Sequence, residues 1–125
     1  EMPIAPPIKF GMVDVRDVAK MHVAALEIDE SIDKRFIISE NTYWGKDFAQ
    51  KLVNLGYKAP TFSPPALIVK FLANFDKNLR MVKPVIGVDF NIDSSSAKST
   101  LGFEPMPFEK TIEDTSDYIK STERD

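Results

Sequence analysis

The sequence contains no cysteine. Disulfides, thiolate zinc sites and thiol nucleophiles are thereby excluded together, and a reducing cytosol suits the chain. Glycine is scarce: the five, at positions 11, 45, 56, 87 and 102, stand too far apart to form a Gly-rich turn. Only such a turn lets a pyrophosphate approach the backbone. The single histidine, His22, has no Cys, Ser or metal-binding cluster around it and reads as a packed or half-exposed helix residue rather than a base. No apolar run approaches the ~20 residues needed to span a bilayer. The longest, residues 64–72, is broken by Lys70. Lys and Arg form no cluster, and the net charge is −3, which argues against a nucleic-acid surface.

What remains is 125 residues, 43% hydrophobic and 28% charged, the balance of one soluble globular domain. Residues 1–7 carry Pro3, Pro6 and Pro7 and read as an extended connector. Ile8–Val13 is predicted to be a strand that runs without a loop into a helix over residues 14–28. Asp14 is placed to cap that helix and Asp17 to add charge at its positive end. Val15, Val18, Met21 or His22, Ala25 and Leu26 form its apolar stripe. A strand feeding a helix is half of a β-α-β unit and implies a parallel sheet.

Further along, Arg35–Ser39 suits a strand buried on both faces. Thr42 is a plausible cap for a helix over residues 43–55, stopped by Gly56. Ser63-Pro64-Pro65 opens the most apolar helix, with Leu67, Ile68, Phe71, Leu72, Phe75 and Leu79. Residues 85–92 suit a short strand. Asp93 or Ser94 caps a small helix ended by Gly102, and a last helix runs from Phe108 to about Ile119, with fraying expected over residues 121–125.

Few side chains suggest chemistry. Asp14 and Asp17 as paired catalytic or metal-binding carboxylates would need a third ligand nearby, so a cap and a dipole charge is the simpler reading. Arg16 is given a bridge to a carboxylate elsewhere. Tyr43, Trp44, Phe71 and Phe75 read as core, the sharper alternative being a roof over an aromatic substrate. Ser94-Ser95-Ser96 lacks the glycines of a nucleophile elbow and reads as a helix start.

Val13-Asp-Val-Arg-Asp-Val-Ala19 with His22 and Ala25, then Arg35-Phe-Ile-Ile-Ser39, Leu101-Gly-Phe-Glu-Pro105 and a closing helix from Pro107 closely resemble the extended short-chain dehydrogenase/reductases. The dihydroflavonol 4-reductase-like members and the related NAD-dependent epimerase/dehydratases are the nearest. The resemblance covers nearly the whole chain but only the C-terminal portion of that Rossmann-type α/β fold, here mostly helical with two or three short strands. It implies an intact enzyme that moves a hydride between NADP (or NAD) and a ketone or aldehyde. It implies a single substrate-binding portion over residues 1–125, whose partners are a small carbonyl substrate and its own N-terminal dinucleotide-binding portion. The family's catalytic Tyr with Lys four residues on is missing, since none of Tyr43, Tyr57 and Tyr118 has that lysine. No catalytic, cofactor-binding or metal residue is therefore expected here. In such enzymes the segment before the Val-Asp-Val-Arg-Asp stretch lines the substrate cleft, which implies Pro7, Ile8, Phe10 and Gly11 as substrate-binding residues. The implied enzyme is cytoplasmic and touches neither membrane nor nucleic acid. The first strand and Arg35–Ser39 would edge a larger parallel sheet, so the chain by itself is expected to self-associate or to stay on its remainder. A nucleotide-sugar epimerase/dehydratase and a non-catalytic binding module are the rival readings.

Overall fold

The computed structural model describes residues 4–122, apart from the Asn78 side chain. The first three residues of the proline-rich connector and the last three of the tail lie outside the described residues. The elements in order are β1 (Lys9–Met12), α1 (Val15–Glu27), β2 (Asn41–Trp44), α2 (Gly45–Asn54), α3 (Ala66–Leu72), α4 (Lys77–Val82), α5 (Ser95–Leu101) and α6 (Phe108–Thr122). Short 3-10 turns follow α1 and α4. Among the described residues no helix is long and apolar enough to cross a membrane.

β1 and β2 form a two-stranded sheet. Its flanking bonds, Gly45 N–H to Ile8 O (2.9 Å) and Glu40 N–H to Met12 O, run antiparallel, not parallel as the strand-to-helix pattern implied. The local pattern was right about the junction, but the partner strand is set by distant residues that alternation cannot reveal. The chain divides into two compact units, Glu1–Phe10 with Thr42–Asn91 and Gly11–Asn41 with Ile92–Asp125.

In the first unit Ala5, Tyr43, Ala49, Val69, Ala73 and Ile86 are buried. Ile8 bridges Ile86, and Phe10 meets Phe48 edge to face at 5.2 Å. The helix expected from Tyr43 begins only at Gly45, because Asn41–Trp44 pairs as strand, so Thr42 caps nothing. Its C-terminal stop is as expected, with Gly56 at φ 88°. Residues 85–92 form no strand beyond the Ile8–Ile86 bridge. α3 buries its small side, Val69 and Ala73, and turns Leu67, Ile68, Phe71 and Leu72 outward. The core reading thus holds for Tyr43 and fails for Phe71 and Phe75.

In the second unit Ala97, Leu101, Phe103 and Phe108 are buried, with Asp14, Asp17, Ser31, Ser39 and Ser94 among them. Arg35–Ser39 forms no ladder. Its bulky residues have strand propensity, but a strand needs a neighbour, and none is supplied among the described residues. α5 ends at Gly102 in the left-handed region (φ 67°), where the Phe103 N–H reaches back to Ala97 O at 3.2 Å. That bond closes the last turn, and a side chain at Gly102 would strain it.

Candidate functional site

Pro7, Ile8 and Phe10, expected to line a substrate cleft, lie together in the first unit. Their backbone is heavily used: Pro7 O accepts from Gly87 N–H at 2.8 Å and Ile8 O from Gly45 N–H. Gly11 falls in the second unit. A β-carbon there would run into Ile92 Cδ1 and come within 3.1 Å of Ser39 Oγ. The space a side chain would take at Gly11 is thus filled by the movable tip of Ile92.

Between Ile8 and Phe10 stands a residue that sequence reasoning passed over. Lys9 donates from Nζ to Asp89 Oδ1 at 2.6 Å and to Asn91 Oδ1 at 2.8 Å, and lies 5.9 Å from the Trp44 ring centre. Thr42 Oγ1 adds a bond to the same Asn91 oxygen at 3.1 Å. The cluster ties the segment after Ile86 onto β1 and neutralises the lysine. A single Lys in a strand gives no signal for this, since its partners lie 80 residues away.

The Asp14 side chain does cap α1, accepting from Arg16 N–H at 2.8 Å. It also accepts from Arg16 Nε at 2.9 Å, from Arg16 Nη2 at 2.8 Å and from Thr111 Oγ1 at 2.9 Å. The Arg16 side-chain bonds, with help from the Arg16 amide and Thr111, hold the carboxyl well below the usual carboxylate range against the opposing effect of burial. Arg16 does bridge to a distant carboxylate, Asp114, at 2.6 Å, and Lys110 shares that acid at 2.8 Å. Asp17 does more than charge a helix end. It is 2% exposed and accepts the Met106 amide at 2.7 Å, tethering the approach to α6. Both carboxylates are thus fully engaged in structure.

His22 sits on the exposed side of α1 with Nδ1 2.7 Å from Val18 O. It borders an apolar cavity of about 290 Å³ with Val18, Met21, Ala25, Phe36, Ile38 and Leu101. Phe36 and Ile38 face this cavity while Ile37 is exposed, the alternation of an extended segment. Ser94 is buried: its Oγ accepts from Ser39 N–H at 3.0 Å, and the free amide of α5 is met by Asp93 Oδ1 at 2.8 Å from Ser95 N. The triple serine is therefore a helix start with Asp93 as its cap.

Neither strand-to-helix junction among the described residues fits a dinucleotide. β1 enters α1 between two buried carboxylates, Asp14 and Asp17, which would repel a pyrophosphate where a helix dipole normally attracts one. At the β2–α2 junction the Gly45 N–H is already spent on Ile8 O, and a β-carbon at Gly45 would run into Pro6 O.

No family model matches the chain. It is 30% identical over 119 residues to the NADPH-dependent methylglyoxal reductase GRE2 of Saccharomyces cerevisiae, which spans 91% of this chain and 30% of that protein. The crystal structure of yeast methylglyoxal/isovaleraldehyde reductase Gre2 complexed with NADPH matches 99% of this chain and 37% of its own, at TM-score 0.58 and 25% identity. The crystal structure of gox2253 matches 97% of this chain and 40% of its own at TM-score 0.75, and at 21% identity this is a likeness of fold. The chain spans about a third of the length of the relatives it matches. With those landmarks and this α/β architecture, the chain is similar to a C-terminal portion of the Rossmann-type fold of the extended short-chain dehydrogenase/reductases.

Proposed function

We propose that the chain is the substrate-side portion of an NADPH-dependent reductase acting on a small ketone or aldehyde in the cytoplasm. The observation that carries this is the 30% identity to the yeast NADPH-dependent methylglyoxal reductase over 91% of the chain. Pro7, Ile8, Phe10 and Gly11 line the carbonyl substrate, and dihydroflavonol-like compounds are the bulkier end of the same class. The dinucleotide and the Tyr–Lys proton-transfer pair belong to an N-terminal portion. The lack of a Gly-rich turn and the acidic α1 N-terminus support that division. The extended Arg35–Ser39 segment, without a ladder partner among the described residues, and the apolar cavity beside it form the docking face for that portion. A nucleotide-sugar epimerase/dehydratase ranks behind, because few arginines are present to clamp a pyrophosphate, and Arg16 is taken up by Asp14 and Asp114.

The test follows NADPH oxidation by the full native protein with methylglyoxal and isovaleraldehyde, alongside titration of the 125-residue chain with NADPH and NADH. Turnover by the full protein and no dinucleotide binding by the chain are expected. Micromolar binding by the chain alone would place the cofactor site in these residues and overturn the division. Phe10→Ala should raise KM for the aldehyde severalfold and leave the Kd for NADPH unchanged. An unchanged KM would remove Phe10 from the substrate wall.

A further inference from the structure

We propose that the α3–α4 face of the first unit docks on an anionic lipid surface, as a peripheral contact rather than a spanning one. The helix is inverted relative to an ordinary surface helix. Its small residues point inward, while Leu67 is 81%, Phe71 63% and Phe75, just beyond its end, 78% exposed. Phe71 and Phe75 stack edge to face at 5.5 Å, so the outward rings form one preorganised apolar plate. Met81 on α4 is 83% exposed and extends the exposed apolar set of the same segment. Large apolar surface left outward in this way marks an interaction site.

Charge decides the occupant. The first unit holds eight Lys and Arg against four Asp and Glu, a net +4, whereas the second holds eight against fifteen, a net −7. Lys70, Lys77, Arg80 and Lys83 all lie in the plate's own segment, against the single acid Asp76. Arg80 donates to Asn74 O at 2.7 Å and Lys83 to Asn74 Oδ1 at 2.6 Å, neutral acceptors that leave both charges uncompensated. Among the described residues none of these four cations is in a salt bridge. Two copies meeting face to face through this segment would oppose four cations to four cations. An anionic bilayer instead satisfies both halves of the pattern: rings enter the headgroup boundary and cations meet phosphates and carboxylates.

The experiment is co-sedimentation of the full native protein with phosphatidylcholine vesicles, with and without about a third phosphatidylserine, at low and physiological salt. Binding to the anionic vesicles alone, weakened by salt, is expected. Phe71→Ser with Phe75→Ser should lower the partition coefficient at least tenfold. Lys77→Glu with Lys83→Glu should do so to a similar degree, each cation being worth about fivefold. All four side chains reside in an outward segment, and an unchanged melting temperature checks that the variants fold. No binding to either vesicle, equal binding to both, or variants that bind like the wild type would overturn the proposal. So would a wild-type dimer in sedimentation velocity that the Phe71→Ser/Phe75→Ser pair converts to monomer, since a second copy would then own the face.

Discussion

Asp14→Ala is the substitution whose cost can be worked most fully from the geometry. The carboxylate is 4% exposed and meets the Arg16 amide, the Arg16 guanidinium and the Thr111 hydroxyl. Loss of the cap costs about 1 kcal/mol. A backbone amide and a threonine hydroxyl left short of an acceptor cost about 1 kcal/mol more, because Thr111 can fall back only on a longer bond to Pro107 O. The Arg16 side chain rehydrates and adds nothing to the sum. With an unfolding entropy of roughly 2.1 cal/mol/K per residue, about 2 kcal/mol lowers the melting temperature of this chain by about 8 °C. Asp14→Asn keeps an acceptor at the cap and should cost about half as much. The pH dependence separates charge from cap. The folded carboxyl is held below its unfolded value of about 3.9, so the charge contributes fully above that value. The contribution fades as pH falls through it toward the depressed folded value. The gap between wild type and Asp14→Asn should therefore narrow in thermal scans taken from about pH 6 down to about pH 2. An Asp14→Ala variant melting within about 2 °C of wild type, or a gap that stays constant with pH, would refute this account.

Asp17→Ala should cost about 2 kcal/mol, since it strands the half-buried Met106 amide; hydrogen exchange at Met106 should speed up in step with the loss measured by denaturant. Gly45→Ala forces a β-carbon into the Pro6 carbonyl oxygen, which belongs to the backbone, and should cost about 2–3 kcal/mol in chemical denaturation. Gly11→Ala meets the movable tip of Ile92 first and should cost only about 1 kcal/mol, and Ile92→Val in the same chain should recover most of it. Equal costs at the two glycines would show that the distinction between backbone and side-chain obstruction is wrong.

The elements read correctly from sequence are those whose signals are local. Asp14 caps α1 because the acceptor and its amide are two residues apart, and Gly56 and Gly102 end helices because left-handed backbone favours glycine wherever it occurs. The misreadings all depend on partners distant in the chain. Asn41–Trp44 is short and half polar, and only its pairing with Lys9–Met12 makes it a strand. Arg35–Ser39 has the composition of a strand without the neighbour that would complete one. The outward turn of Phe71 was hidden for a related reason: helical spacing gives the apolar side of α3, but not which side the unit buries. Of the candidate site, the family landmarks were legible, whereas the Lys9 cluster and the Asp17–Met106 tether were not. Each joins residues 80 or more apart.

The sharing of the chain between two units has a consequence for anyone who would take the molecule apart. Each unit is assembled from two separate runs of sequence, and the crossings between them fall within β1 and at β2. No single cut in the gene releases either unit whole. A truncation after Asn41 keeps Gly11–Asn41 but loses α5 and α6 from the same unit, and a start at Thr42 deletes the β1 residues that pair within the other. Each unit must also close a loop over the inserted run of its neighbour before its own contacts form, an entropic toll that grows only slowly with the length of the insertion. A rearranged gene that encodes residues 92–125, then a linker, then residues 11–41 is the dissection this topology permits, because it makes the second unit contiguous.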